Sequence, residues 1–148
     1  MPAPVVELDR VSKTYYNGAV ATPVLFDLSF SVVPGEFVAI VGSSGSGKTT
    51  LLNLMGLLDR PTGGVIRVEG QEVSQLDELG RARARRDRLG FIFQFHYLLP
   101  EFTVLENALM PCRMRGREFE KSREPRMRQL LEDVGLGEKL KVRPPQLS

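Results

Sequence analysis

The sequence is poor in the residues that build disulfides and metal centres: it has one cysteine, Cys112, and one histidine, His96. A single cysteine excludes an internal disulfide, which accords with a reducing compartment. Cys112 has no second cysteine or histidine at ligand spacing, so it reads as a small buried apolar residue. His96 stands without a carboxylate partner and reads as a loop or interface residue rather than a general base. Long apolar runs are missing as well. The most apolar stretch, Leu51 to Leu58, is broken by Asn53 and Gly56 and is far too short to span a bilayer. The start, Met1-Pro2-Ala3-Pro4, has no basic segment leading into an apolar core. The expectation is therefore a soluble protein without a signal peptide, whose membrane association comes through a partner. Net charge is only +2, so composition gives no reason to expect nucleic acid as a partner. No internal repeat or low-complexity segment occurs.

What remains is an ordinary globular mix of 148 residues, enough for one domain with a core. Val5 to Val11 alternates, with Val6 and Leu8 opposite Glu7 and Asp9, as in a half-buried strand. Val24 to Val32 repeats the pattern, placing Phe26, Leu28, Phe30 and Val32 opposite Asp27, Ser29 and Ser31, before Pro34-Gly35 turns the chain. Phe37 to Val41 is a continuous apolar run, expected of a strand buried on both faces of a parallel sheet. A helix follows, with Leu51, Leu52, Leu54, Met55 and Leu58 at helical spacing and an end at Pro61 and Gly63-Gly64. Val65 to Glu69 predicts a short strand, Gln75 to Arg88 an arginine-rich helix, and Leu89 to Phe93 a second buried strand. Thr103-x-x-Glu106 is a capping box opening a helix that should stop by Pro111. Arg126 to Val134 predicts an amphipathic helix with Met127, Leu130, Leu131 and Val134 inward, stopped at Gly135. The fold class expected is mixed α/β, with antiparallel strands first and a helical appendage from about residue 97.

The chemistry concentrates in Gly42-Ser43-Ser44-Gly45-Ser46-Gly47-Lys48-Thr49, which satisfies the phosphate-binding pattern GxxxxGK[ST]. Such a loop must approach a phosphate closely enough for successive backbone N–H groups to face it, and side chains at the glycines would obstruct that approach. The helix starting near Lys48 adds its positive end behind the phosphates. Lys48 reaches β- and γ-phosphate oxygens, and the Thr49 hydroxyl suits Mg²⁺, a hard cation that prefers oxygen. Arg81-Ala-Arg-Ala-Arg-Arg-Asp-Arg88 holds five arginines in eight residues but has no interleaved aromatics. It reads as a solvated helix face near a membrane rather than a nucleic-acid surface.

The loop alone does not choose among P-loop enzymes, but its surroundings do. The segment from Val38 to Leu52, including Thr50 and the leucine pair, resembles the Walker A region of ABC transporter ATPases. Val11-Ser-Lys-Thr-Tyr15 resembles that family's A-loop, which implies that Tyr15 stacks on adenine; Tyr16 beside it is the competing candidate. Gly90-Phe-Ile-Phe-Gln94 resembles the Q-loop, which implies that Gln94 meets Mg²⁺ and the attacking water. Pro145-Gln-Leu-Ser148 resembles the approach to the LSGGQ signature. Phe95 to Thr103 with Leu105-Glu-Asn107, and Leu57-Leu-Asp-Arg-Pro-Thr62, resemble the lipoprotein-releasing and macrolide-export type.

The resemblance implies an ATP-binding core over residues 1–96 and the beginning of a helical subdomain over 97–148. It implies ATP and Mg²⁺ as cofactors, held by Tyr15, residues 42–50 and, at the metal, Thr49 and Gln94. A membrane permease and a second ATP-binding subunit are the implied partners, at the cytoplasmic face of a bacterial-type inner membrane. The full-length protein would be an ATPase powering release or export of lipoprotein-like or hydrophobic cargo. The chain departs from the family in that the Walker B acidic pair, the switch histidine and the signature glycines are absent. A truncated protein with an incomplete core sheet, no catalytic residue of its own and no turnover alone is therefore expected. A non-catalytic ATP-binding module of the same family and another P-loop phosphotransferase stay open as alternatives, although the guanine-reading Asn-Lys-x-Asp does not occur.

Overall fold

A computed structural model describes residues 2–147, which fall into two compact units, one running to Phe91 and one starting at Ile92. The first holds strands β1 (Val6–Asn17) and β2 (Val20–Val32), helix α1 (Lys48–Met55), strands β3 (Gly63–Val68) and β4 (Gln71–Glu72), and helix α2 (Glu78–Arg88). The sheet is antiparallel throughout, in the order β2-β1-β3-β4. Leu8 and Val11 of β1 and Ile66 and Val68 of β3 meet Leu51, Leu54 and Leu57 from α1 and its C-terminal end, together with Val73. Leu54 and Ile66 are sealed from solvent, and burial of side chains this size is worth roughly 1.5–3 kcal/mol each. The fold is thus mixed α/β, as the sequence leads one to expect.

Simple alternation fails in both long strands, and the first two of the three register shifts between them explain it. Leu8 faces Phe30 and Val11 faces Leu28, so β1 carries an extra residue between them; Arg10 there has φ 49°. Lys13 then faces Leu25, so β2 carries the extra residue, and Asp27 has φ 47°. The N–H groups taken out of the ladder find serine hydroxyls instead: Arg10 N–H donates to Ser29 Oγ at 2.8 Å and Asp27 N–H to Ser12 Oγ at 2.9 Å. A bulge reverses which face the following residues occupy. Val11 rather than Arg10 therefore enters the core, and Leu25 packs against it while Phe26, expected inward, is 73% exposed.

Phe37–Val41 and Leu89–Phe93, expected as buried parallel strands, are not strands. An extended segment becomes a strand only when it pairs with a neighbouring strand in a ladder, and among the described residues neither run is part of one. Phe37 and Val41 are accordingly almost fully exposed, as is Ile92.

Helix α2 starts three residues later than expected, where Asp77 caps it by accepting from Gly80 N–H at 2.7 Å. Its arginines are not a uniformly solvated face. Arg81 is buried beside Glu78, Arg85 donates to Leu57 O at 2.7 Å, and Arg88 donates to Val68 O at 3.1 Å. Carbonyls left over at the ends of α1 and β3 attract these cations inward.

The second unit contains helices α3 (Val104–Arg113) and α4 (Arg117–Asp133) and single turns at Gly137–Lys139 and Pro144–Gln146. The capping box at Thr103 and Glu106 forms as expected. Hydrogen bonds from the Thr103 N–H and hydroxyl hold the Glu106 carboxyl below its usual range. Helix α3 runs through Pro111 to Arg113 rather than stopping at it. So near the C-terminal end the missing N–H removes one bond, and the helix resumes with Met114 N–H to Met110 O at 3.1 Å. Helix α4 likewise runs through Pro125 and begins nine residues before Arg126. Of its expected inward face only Met127 and Leu131 are partly buried, while Leu130 and Val134 are exposed. Gly135 follows its end as expected. Cys112 is half-buried rather than buried. Among the described residues, no helix is long and apolar enough to cross a membrane.

Candidate functional site

The glycine-rich loop and α1 form one continuous structure. Gly47 is the N-cap residue of α1 with φ 88°, a left-handed conformation that costs a residue with a Cβ about 1–2 kcal/mol. A Cβ there would also stand 3.0 Å from Leu25 Cδ2. At Gly42 a Cβ would stand 2.7 Å from Ser46 Oγ, so the loop can curl back on itself only without one. Leu51 N–H bonds to Gly47 O at 2.8 Å, which leaves the N–H groups of Lys48, Thr49 and Thr50 without an intrahelical acceptor. Neither a capping side chain nor an acidic residue in the first turn offsets them.

Lys48 lies across the mouth of this loop. Its ammonium donates to Gly42 O at 2.9 Å, to Ser43 O at 2.6 Å and to Ser46 Oγ at 3.4 Å. The open cleft beside it, about 180 Å³, is lined by Val24 and residues 45–50. A cradle of glycines, unpaired helix N–H groups and a lysine at the rim together fit a phosphate chain. The exposed Thr49 hydroxyl on the first turn is the oxygen ligand that a Mg²⁺ beside such a chain would take.

Tyr15 sits near the end of β1, opposite Thr22 of β2, two residues before the cleft residue Val24. Its hydroxyl donates to Asp59 Oδ2 at 2.9 Å. Asp59 Oδ1 accepts from Lys13 Nζ at 2.7 Å and from Arg60 N–H at 2.7 Å. Lys13 also donates to Arg60 O at 2.7 Å and stands 4.7 Å over the Tyr15 ring. These contacts supply a carboxylate and a carbonyl acceptor to a lysine that is only 8% exposed. Burial alone would raise the Asp59 carboxyl, but hydrogen bonds from Lys13, Arg60 N–H and Tyr15, with the Lys13 charge, hold it below its usual value. Tyr16, the competing aromatic, is 71% exposed.

The structure therefore brings residues 42–50 together and ties Tyr15 to the segment after α1. Gln94 is exposed in the second unit. Leu147 of the signature approach is described, and Ser148 lies outside the described residues. Lys13 and Asp59 are partners the sequence does not reveal as such. No spacing in the sequence marks them: the bulge in β1 turns Lys13 inward, where a charge needs a counterion.

The chain is similar to known proteins along most of its length. The family model described as ABC transporter matches residues 25–148. The chain is 48% identical over 146 residues to the lipoprotein-releasing system ATP-binding protein LolD of Xanthomonas campestris pv. campestris, covering 99% of this chain and 61% of that protein. It is 52% identical over 146 residues to the protein of the same name from Anaeromyxobacter dehalogenans, covering 98% of this chain and 61% of that one. Among solved structures, the dimeric ATP-binding cassette MJ0796, bound to ADP and Pi in a post-hydrolysis state, superposes with a TM-score of 0.84 at 37% identity. That match covers 97% of this chain and 63% of the cassette. The chain thus spans about three-fifths of the length of the curated relatives it matches. With a family match reaching from β2 to the last residue, this chain belongs to the ABC transporter family.

Proposed function

We propose that this chain supplies the ATP-binding part of a transporter's ATP-binding subunit. The observation that carries the reading is the placement of Lys48, whose ammonium is held at the loop mouth by neutral acceptors, Gly42 O and Ser43 O. Phosphate oxygens are stronger, charge-assisted acceptors and would take those donors over. Residues 42–50 then cradle the phosphates, Thr49 and Gln94 serve Mg²⁺, and Tyr15 stacks on adenine. On this reading residues 1–96 act as the ATP-binding core and 97–148 as the start of a helical subdomain.

The likeness to the lipoprotein-releasing proteins supports a further reading of the protein as a whole. It hydrolyses ATP as one of a pair of ATP-binding subunits, on the cytoplasmic side of an inner membrane, and drives release of lipoprotein-like or hydrophobic cargo through a permease. When bound, ATP supplies the free energy for that work; the residues described here bind and orient it.

Calorimetric titration of Mg-ATP into the full chain, with Lys48→Ala as control, tests the binding step. Saturable binding that Lys48→Ala weakens more than tenfold is the expected result. Equal binding by both proteins would overturn the role given to the loop.

A further inference from the structure

We propose that Asp59 is a positioning residue for the nucleotide base, holding the Tyr15 ring through its hydroxyl in the orientation that stacks on adenine. The inference rests on the reading of Tyr15 as the base-stacking residue. It starts from how Asp59 divides its two oxygens. Oδ1 takes Lys13 Nζ and Arg60 N–H, while Oδ2 takes the Tyr15 hydroxyl at 2.9 Å. The needs of the Lys13 charge are met by Oδ1 and by Arg60 O. The bond from Tyr15 to Oδ2 is therefore additional to the ion pair, and its effect is to fix the ring.

Tyr15 lies five residues beyond the bulge of β1 at Arg10, near the strand end, and is 40% exposed. A tyrosine there would ordinarily sample several rotamers, and its ordering would be charged to ligand binding. Here the hydroxyl is tethered and the Lys13 ammonium backs one face of the ring at 4.7 Å. A flat π-system must stack on the other face.

The segment that carries Asp59 is itself fixed to the same strand. Thr62 N–H donates to Ser12 O at 2.9 Å, and Thr14 N–H donates to Thr62 Oγ1 at 3.1 Å. This segment directly follows α1, whose opposite end carries Lys48, Thr49 and Thr50. An eight-residue helix is about 12 Å long. The segment that tethers the ring and the phosphate cradle are thus joined through one short helix.

The test compares Mg-ATP with Mg-tripolyphosphate, which has the phosphate chain but no base, by calorimetry on the full chain and its Tyr15→Ala, Tyr15→Phe and Asp59→Asn variants. Tyr15→Phe keeps the aromatic ring and the Lys13–Asp59 pair and removes only the tether, so it stays informative if Asp59→Asn does not fold. The expected result is that Tyr15→Ala weakens ATP most. Tyr15→Phe and Asp59→Asn should weaken ATP by about two- to tenfold, the effect of re-ordering one side chain. Tripolyphosphate affinity should stay constant in all three. If Tyr15→Ala weakens ATP but Tyr15→Phe binds it like the parent, the positioning role is overturned while the stacking role survives. If Tyr15→Ala leaves ATP binding unchanged, or the parent binds neither ligand, the underlying reading falls and this inference with it. Equal losses for ATP and tripolyphosphate in the folded variants would assign Asp59 a structural role only and also overturn the proposal.

Discussion

Lys13 Nζ and Asp59 Oδ1 stand 2.7 Å apart although 46 positions separate the two residues in the chain. The pair joins β1 to the segment after α1, and Lys13 is the more deeply buried partner, with 10% of its side chain exposed against 29% for Asp59. Removing the cation leaves a carboxylate that is poorly hydrated and has lost its counterion. Lys13→Met should destabilise the chain by roughly 1–3 kcal/mol, below the full cost of breaking a buried pair because Asp59 keeps some water. Urea denaturation measures it, and an unchanged midpoint would show the pair to be neutral.

The same pair makes stability depend on pH in a predictable direction. The folded Asp59 carboxyl is held below its unfolded value, which is about 3.9 for an aspartate. The stability it contributes is complete above that unfolded value and is lost as pH falls from about 4 through the lower folded value. Lys13, Tyr15 and the Arg60 N–H are the groups that face it. Urea midpoints measured between pH 6 and pH 3 should fall more steeply for the parent than for Asp59→Asn. Parallel curves would mean that the carboxyl titrates alike in both states.

Gly47→Ala should lower stability by about 1–2 kcal/mol, because alanine strains at φ 88° and meets Leu25 Cδ2. It should also weaken tripolyphosphate binding, since relief of the strain moves the first turn of α1 away from the loop. Circular dichroism melts and calorimetry report the two effects. A variant as stable as the parent would contradict the left-handed cap.

The bulge at Asp27 predicts an unequal response from two adjacent residues of β2. Phe26→Ser should change stability by no more than about 0.5 kcal/mol, as at other exposed positions. Leu25→Ala should cost roughly 1–3 kcal/mol, less than a fully buried leucine because Leu25 is only partly buried against the core. Denaturant midpoints of the two variants decide it. A larger loss for Phe26→Ser would restore the unbulged alternation.

Sequence alone determined the features set by local spacing. The loop Gly42 to Thr49, the helix behind it and the capping box at Thr103 are contiguous, and each depends on residues within a few positions. The family resemblance carried by those motifs agrees with the family match across residues 25–148. Tertiary structure decided what depends on partners remote in the chain. Phe37–Val41 and Leu89–Phe93 have the composition of buried strands, yet neither is a strand, because pairing needs a neighbour that an apolar run cannot supply. The inward turn of Lys13 and the outward turn of Phe26 come from bulges sealed by Ser29 and Ser12 hydroxyls across the ladder, contacts absent from either strand read by itself. The tether from Tyr15 to Asp59 joins residues 44 positions apart. No periodicity encodes such a contact: it exists only once β1, α1 and the segment after it are packed together, because a hydrogen bond is decided by distance in space rather than by order along the chain.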